Sequence, residues 1–234
     1  MPHPVNVLFY VTKPVFNQFE VGHFEGFDKG SSSSLWKNLL INQIEVISSL
    51  KSEYNIFALF HQFDIGAHGL DELQKFDKLD VLFFEDGDQG EILREITEES
   101  RGTQKPLLVV NPLMMGLNNR DYSDLIKLLE SEEEITTIIR SVNGYISVIG
   151  FNYFEQRQTP IISNLDQHYN KLLPMIMELD SKPILQSGGI VVKNAHDFSE
   201  LYNFLSSKES VKACSYEMHD RFTELFVEYK DYLQ

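Results

Sequence analysis

The sequence is poor in cysteine, in basic residues and in long apolar runs, and each shortage removes a class of protein. Cys214 is the single cysteine, so no disulfide can form within the chain, and a reducing compartment is expected. The same residue reads as a small buried hydrophobe. No apolar run approaches the roughly 18 residues that a bilayer-spanning helix needs, so no membrane span is expected. Lys and Arg number 20 against 35 Asp and Glu, a net charge of −15, and the basic residues are scattered. A nucleic-acid or anionic-membrane partner requires a basic face that neutralises phosphates, which this distribution does not offer. The N-terminal residues lack the charged start and small-residue cleavage site of a signal peptide, so a cytoplasmic location is expected.

Aromatic residues, by contrast, are plentiful. Seventeen Phe and ten Tyr within a 42% hydrophobic composition argue against disorder and supply one large core. With no internal repeat and no linker, residues 1–234 are expected to form a single domain.

Hydrophobic periodicity outlines the elements. Residues 5–11, 55–60, 81–84 and 107–110 read as buried strands, and 35–50, 89–100 and 121–131 as helices. A short helix is expected at 71–76, and a loop over 15–34, with Ser31 to Ser34 as its mobile tip. Strands at 135–139 and 145–151 flank Asn143-Gly144, a dipeptide that favours tight turns. Residues 156–177 are irregular and then partly helical. A short strand at 190–192 precedes a helix at 195–205 capped by Asn194, and a terminal helix covers 219–233. Strand–helix alternation over the first 130 residues implies an α/β three-layer sandwich whose sheet is mixed and mostly parallel.

Four segments in order carry a family resemblance. They are Val7-Leu-Phe-Tyr-Val-Thr-Lys-Pro14, Gln89-Gly-Glu-Ile92, Leu108-Val-Val-Asn-Pro-Leu-Met-Met-Gly-Leu117 and Asn143-Gly-Tyr-Ile-Ser-Val-Ile-Gly150, with a weaker fifth at Val192-Lys-Asn-Ala-His-Asp-Phe198. Together they resemble bacterial glycosyltransferase-like proteins with the A-type nucleotide-diphospho-sugar transferase fold, over about residues 5 to 205. The resemblance implies a carboxylate at the end of the fourth strand holding Mg or Mn against a nucleotide diphosphate. Here that position is Leu113, the acid expected in the Asp-Gly-Gly stretch is Asn143, and a late acid position is Lys193. Lys13 is kept, but the basic run expected after it is absent.

These departures lead to the expectation of a divergent nucleotide-diphospho-sugar transferase (glycosyltransferase)-like protein that lacks metal-dependent catalysis and retains nucleotide or sugar binding. The expected partner is a nucleotide sugar, contacted by Lys13, Asn111, Leu113, Asn143, Asp86 and Asp88, with no cofactor. An active glycosyl- or nucleotidyltransferase with its acids relocated to Glu85, Asp86 or Asp88 is the first alternative; it alone would call for Mg or Mn. A non-catalytic module that binds a protein partner through Phe16, Phe19, Phe24 and Phe27 is the second.

Other groupings admit plain readings. His61, Asp64 and His68 could ligate a metal, yet solvated loop residues account for them equally well. Glu85, Asp86 and Asp88 read as a solvated acidic turn, and Ser187-Gly188-Gly189 as a turn before the strand at 190. Glu132, Glu133 and Glu134 read as a solvated helix end.

Overall fold

The computed structural model describes residues 4–16, 24, 26–51, 53–98 and 105–233. Its organising strand is β1 (Val5–Tyr10), whose six residues are all buried. Side chains alternate across a strand, so Val5, Val7 and Phe9 enter one apolar cluster while Leu8 and Tyr10 enter another. Strands with both faces covered read as continuous hydrophobic runs, which is why β1 and β4 (Leu107–Val110) were legible in sequence.

β2 (Tyr54–His61), β3 (Leu79–Phe84), β6 (Ile135–Arg140), β7 (Ile146–Phe151) and β8 (Lys182–Ser187) complete a seven-stranded sheet in the order β3-β2-β1-β4-β7-β6-β8. β1 to β4 run parallel, β7 pairs antiparallel with β4 and with β6, and β8 pairs parallel with β6. Strand order reverses at β1 and β4, because β2 and β3 lie on one side of β1 and β4 starts the other side. Open α/β sheets bind ligands at the carboxyl ends of strands flanking such a reversal.

One face of the sheet is covered by α1 (Lys29–Ser48), α3 (Asn119–Leu129), α6 (Ala195–Leu205) and α7 (Tyr216–Glu228). The other is covered by α2 (Gln89–Thr97), α4 (Thr159–Ser163) and α5 (Tyr169–Met177). The result is the expected mixed, mostly parallel three-layer α/β architecture. Caps set the helix starts: Asn118 and Asp121 form a reciprocal capping box on α3, and the Asn194 side chain accepts the Asp197 N–H at 3.0 Å on α6.

One expectation about local structure is corrected, and one strand is added. The Ser31 to Ser34 tract is not a loop tip but the first turns of α1, capped by Asp28, which accepts the Ser31 N–H at 2.9 Å. Ser32 is fully buried and its Oγ accepts the Phe24 N–H at 3.1 Å. Serine's weak helix propensity is outweighed there by the cap and by packing. β8 was not foreseen. Its residues are mostly exposed, it opens with Lys182-Pro183, and it lies at the sheet edge, so it shows no apolar period.

A second ribbon, β5 (Met114–Met115) against β9 (Ile190–Val191), matters more for the site than its size suggests. It continues in the bond from Val192 N–H to the Leu113 carbonyl at 2.9 Å, which brings the chain after β9 beside the chain after β4.

Candidate functional site

A cavity of about 190 Å³ opens at the carboxyl ends of β1 and β4. Residues 10–13 form one wall, 111–113 the opposite one, and Trp36, Leu165, Asp166 and Lys193 close the rest. The chain order alone places the first two walls, since both are strand ends at the reversal. Trp36 comes from α1, Asp166 from the α4–α5 connection, and Lys193 from the turn between β9 and α6.

Two lysines line the cavity. Lys13, with its side chain 64% exposed, stands 3.8 Å from the Asp166 carboxylate. Lys193 is more enclosed; its ammonium donates to the Asp166 backbone carbonyl and lies 5.0 Å from the centre of the Tyr145 ring. Burial holds the Lys193 ammonium below the usual lysine range and the nearby Lys13 charge adds to this, while Asp166 and Asp197 pull the other way. The Tyr10 phenol is raised, foremost by burial and also by the Asp86 and Asp166 charges, against hydrogen bonds with Ser163 and Gln89. The indole N–H of Trp36 is buried without an acceptor among the described residues.

Of the six residues expected to contact a ligand, Lys13, Asn111 and Leu113 line this cavity. Asn111 is committed structurally. It donates to the Ile146 carbonyl at 3.1 Å and the Leu165 carbonyl at 3.3 Å, and its oxygen accepts the Leu113 N–H at 3.0 Å. Leu113 is 6% exposed.

Asn143 does not line the cavity but fastens its floor. Its amide donates to the Val191 carbonyl at 2.6 Å and to the Asp197 carboxylate at 2.8 Å, and its oxygen accepts from Ser141 Oγ at 2.7 Å. Asp197 in turn accepts the Lys193 backbone N–H at 3.0 Å, so this network sets where Lys193 stands. Asp86 and Asp88 lie on the exposed turn after β3 and are not among the lining residues; Asp86 has its side chain 94% exposed, 3.6 Å from His61 Nε2.

The three positions where the resemblance implies acids carry a hydrocarbon, an amide already bonded on both sides and an ammonium, and Asp166 supplies the carboxylate that lines the cavity. Among the described residues no group of three or more His, Cys, Asp or Glu side chains is placed to hold a metal ion.

His61 and Asp64 were expected as solvated loop residues, and both are buried. Asp64 accepts the Val15 N–H at 3.0 and 3.1 Å and the Phe16 N–H at 2.8 Å, tying the chain after Lys13 to the end of β2. His68 is exposed. Phe16, Phe24 and Phe27, proposed as an exposed anchor, are buried, with Phe27 stacked on Tyr229 at 3.8 Å between ring centres. Phe19 lies outside the described residues. Sequence reasoning missed Tyr10, Trp36 and Asp166 as cavity walls. The lone tryptophan was the one visible signal, whereas nothing marks Asp166 in an aperiodic connection.

A larger cavity of about 450 Å³ lies at the opposite, amino edge of the sheet, lined by Asn6, Phe57 and Glu95 among others. It brings together no cationic pair and stands away from the strand reversal.

No protein-family model matches the sequence, and no curated relative does. Solved structures do. A provisionally assigned nucleotide-diphospho-sugar transferase from Desulfovibrio desulfuricans G20 superposes with a TM-score of 0.63 at 13% identity, over 96% of this chain and 97% of that one. A cytidylyltransferase from Leptospira borgpetersenii superposes with a TM-score of 0.50 at 10% identity, over 99% and 96%. Among the described residues no helix is long and apolar enough to cross a membrane. By the first of these superpositions the chain has a nucleotide-diphospho-sugar transferase-like fold.

Proposed function

We propose that the chain binds a nucleotide sugar, or the nucleotide part of one, at the β1–β4 cleft, and that it lacks metal-dependent sugar transfer. The observation that carries this reading is the cleft itself: a cavity at the strand reversal lined by two aromatic residues, Tyr10 and Trp36, and two lysines, Lys13 and Lys193. Rings offer a stacking surface to a base, and ammonium groups attract phosphate. At about 190 Å³ the cavity is smaller than the roughly 300–1,000 Å³ of pockets that enclose a whole ligand. It accommodates the phosphate-bearing portion, with the remainder extending over the open mouth.

The supporting argument against metal-dependent transfer is chemical. Transfer from a diphosphate accumulates charge on the leaving group, and a cation is the usual means of neutralising it. Leu113, at the end of β4, offers no ligand for one. Relocated acids draw no support from the geometry, because Glu85, Asp86 and Asp88 sit exposed on their turn. The protein-interaction alternative loses its anchor with Phe16, Phe24 and Phe27 buried.

Isothermal titration against UDP-, GDP- and CDP-sugars, with manganese or with chelator, tests the reading. One nucleotide class is expected to bind equally in both conditions without turnover. Binding that requires manganese, together with sugar transfer, would overturn it.

A further inference from the structure

We infer that the Lys193 ammonium is the group that grips the ligand's phosphate oxygens, in place of any dissociable cation. This rests on the nucleotide reading above and adds to it the residue and the ligand class: a pyrophosphate-bearing anion, taken up without metal.

Three observations lead here. Lys193 is one of the residues that line the cavity. Its ammonium makes one hydrogen bond, to the Asp166 carbonyl, stands over the Tyr145 ring and has no ion pair among the described residues, which leaves it donor capacity for a ligand oxygen. A partly buried charge with no direct ion pair is costly, and an entering anion relieves the cost. Its position is fixed from the backbone: the Lys193 N–H donates to Asp197, Asp197 is tied to Asn143, and Asn143 to the Val191 carbonyl.

Lys13 plays a different part. It is mostly exposed and its charge is already opposed by the Asp166 carboxylate at 3.8 Å. An arriving phosphate competes with that carboxylate for Lys13, whereas Lys193 has no carboxylate within ion-pair distance among the described residues and feels the Asp166 and Asp197 charges only from farther away. Lys193 is thus the positioned grip, and Lys13 an adjustable second contact.

The chain contains one tryptophan, and Trp36 lines the cavity, so intrinsic fluorescence reports occupancy directly. The experiment titrates inorganic pyrophosphate, UDP, GDP, CDP and the corresponding nucleosides into the wild type, Lys193→Met and Lys193→Arg, in EDTA and in manganese. Calorimetry runs alongside, and circular dichroism checks that each variant is folded. Expected results are pyrophosphate and nucleotide binding in EDTA, a loss of about tenfold or more in Lys193→Met, and substantial retention in Lys193→Arg. The arginine variant keeps the charge, so it separates loss of grip from loss of packing.

Pyrophosphate binding that is equal in wild type and Lys193→Met overturns the inference, even if a nucleotide sugar still binds and the functional reading survives. Nucleosides binding as tightly as their diphosphates overturn it too. Pyrophosphate binding that depends on Lys193, with no nucleotide bound, sustains the inference and sinks the functional reading. Binding that appears only with manganese, or no binding of any probe by either method, defeats both.

Discussion

Replacing Asn143 by aspartate would restore the acid that the family resemblance implies, and the structure says the restored acid should be harmful. The amide donates two hydrogen bonds, to the Val191 carbonyl at 2.6 Å and to the Asp197 carboxylate at 2.8 Å. A carboxylate at that position donates neither. A neutral bond contributes about 1 kcal/mol and one to a charged group about 1.5–3 kcal/mol, so the lost donation costs roughly 3 kcal/mol. Two carboxylates whose charges lie about 4 Å apart repel by up to about 4 kcal/mol at an effective dielectric constant near 20, unless one takes up a proton. Allowing for local relaxation, a total near 4 kcal/mol is expected at pH 7, or roughly 10 °C in melting temperature for a chain of this size.

The pH dependence separates the two contributions. The proton that the aspartate pair would share is bound more tightly folded than unfolded, so the deficit is full at pH 7 and shrinks as pH falls through the pair's titration. At pH 5 the shared proton also acts as the missing donor, and the deficit should drop to about half. Asn143→Ala loses the donation without adding charge, so its deficit of about 3 kcal/mol should be the same at both pH values. Urea unfolding followed by circular dichroism, each variant against wild type at pH 5 and pH 7, provides the measurement. An Asn143→Asp protein within about 1 kcal/mol of wild type at pH 7, or one equally impaired at both pH values, would refute this account of the Asn143 network.

Two further outcomes are accessible. Asp64→Ala leaves the Val15 and Phe16 N–H groups without their carboxylate acceptor and should destabilise the protein by about 3 kcal/mol in the same unfolding assay; a loss under about 1 kcal/mol would mean that this tie is dispensable. Burial pushes the Cys214 thiol up to about 12, with the Glu45 charge adding to it, so alkylation at pH 8 should run at least about a hundredfold slower in the native protein than in urea. Equal rates would contradict that environment.

How far the site was legible follows from the same physics. Lys13 and Asn111 are legible because each follows a strand whose two buried faces make it an unbroken apolar run, and Leu113 because the family resemblance implies a carboxylate at its position. Asn143 was singled out correctly as unusual but assigned to ligand contact, because a sequence does not show that Val191 and Asp197 claim its amide. His61 and Asp64 read as solvated because polar residues after a strand usually are; here a buried carboxylate serves the backbone of a distant segment.

The sequence by itself determined the elements with strong periods: β1 and β4, the helix at 195–205 with its Asn194 cap, and the alternation that implies a mostly parallel sheet. Those depend on local spacing and on which faces must be dry, and both can be counted along the chain. Only the tertiary structure decided that the Ser31 to Ser34 tract is helix, that an exposed, proline-bearing segment closes the sheet as β8, and that the phenylalanines of the 15–27 region turn inward. It alone brought Trp36, Asp166 and Lys193 to one cavity from three separate segments. Such long-range contacts arise from the packing of layers, and no local pattern encodes them.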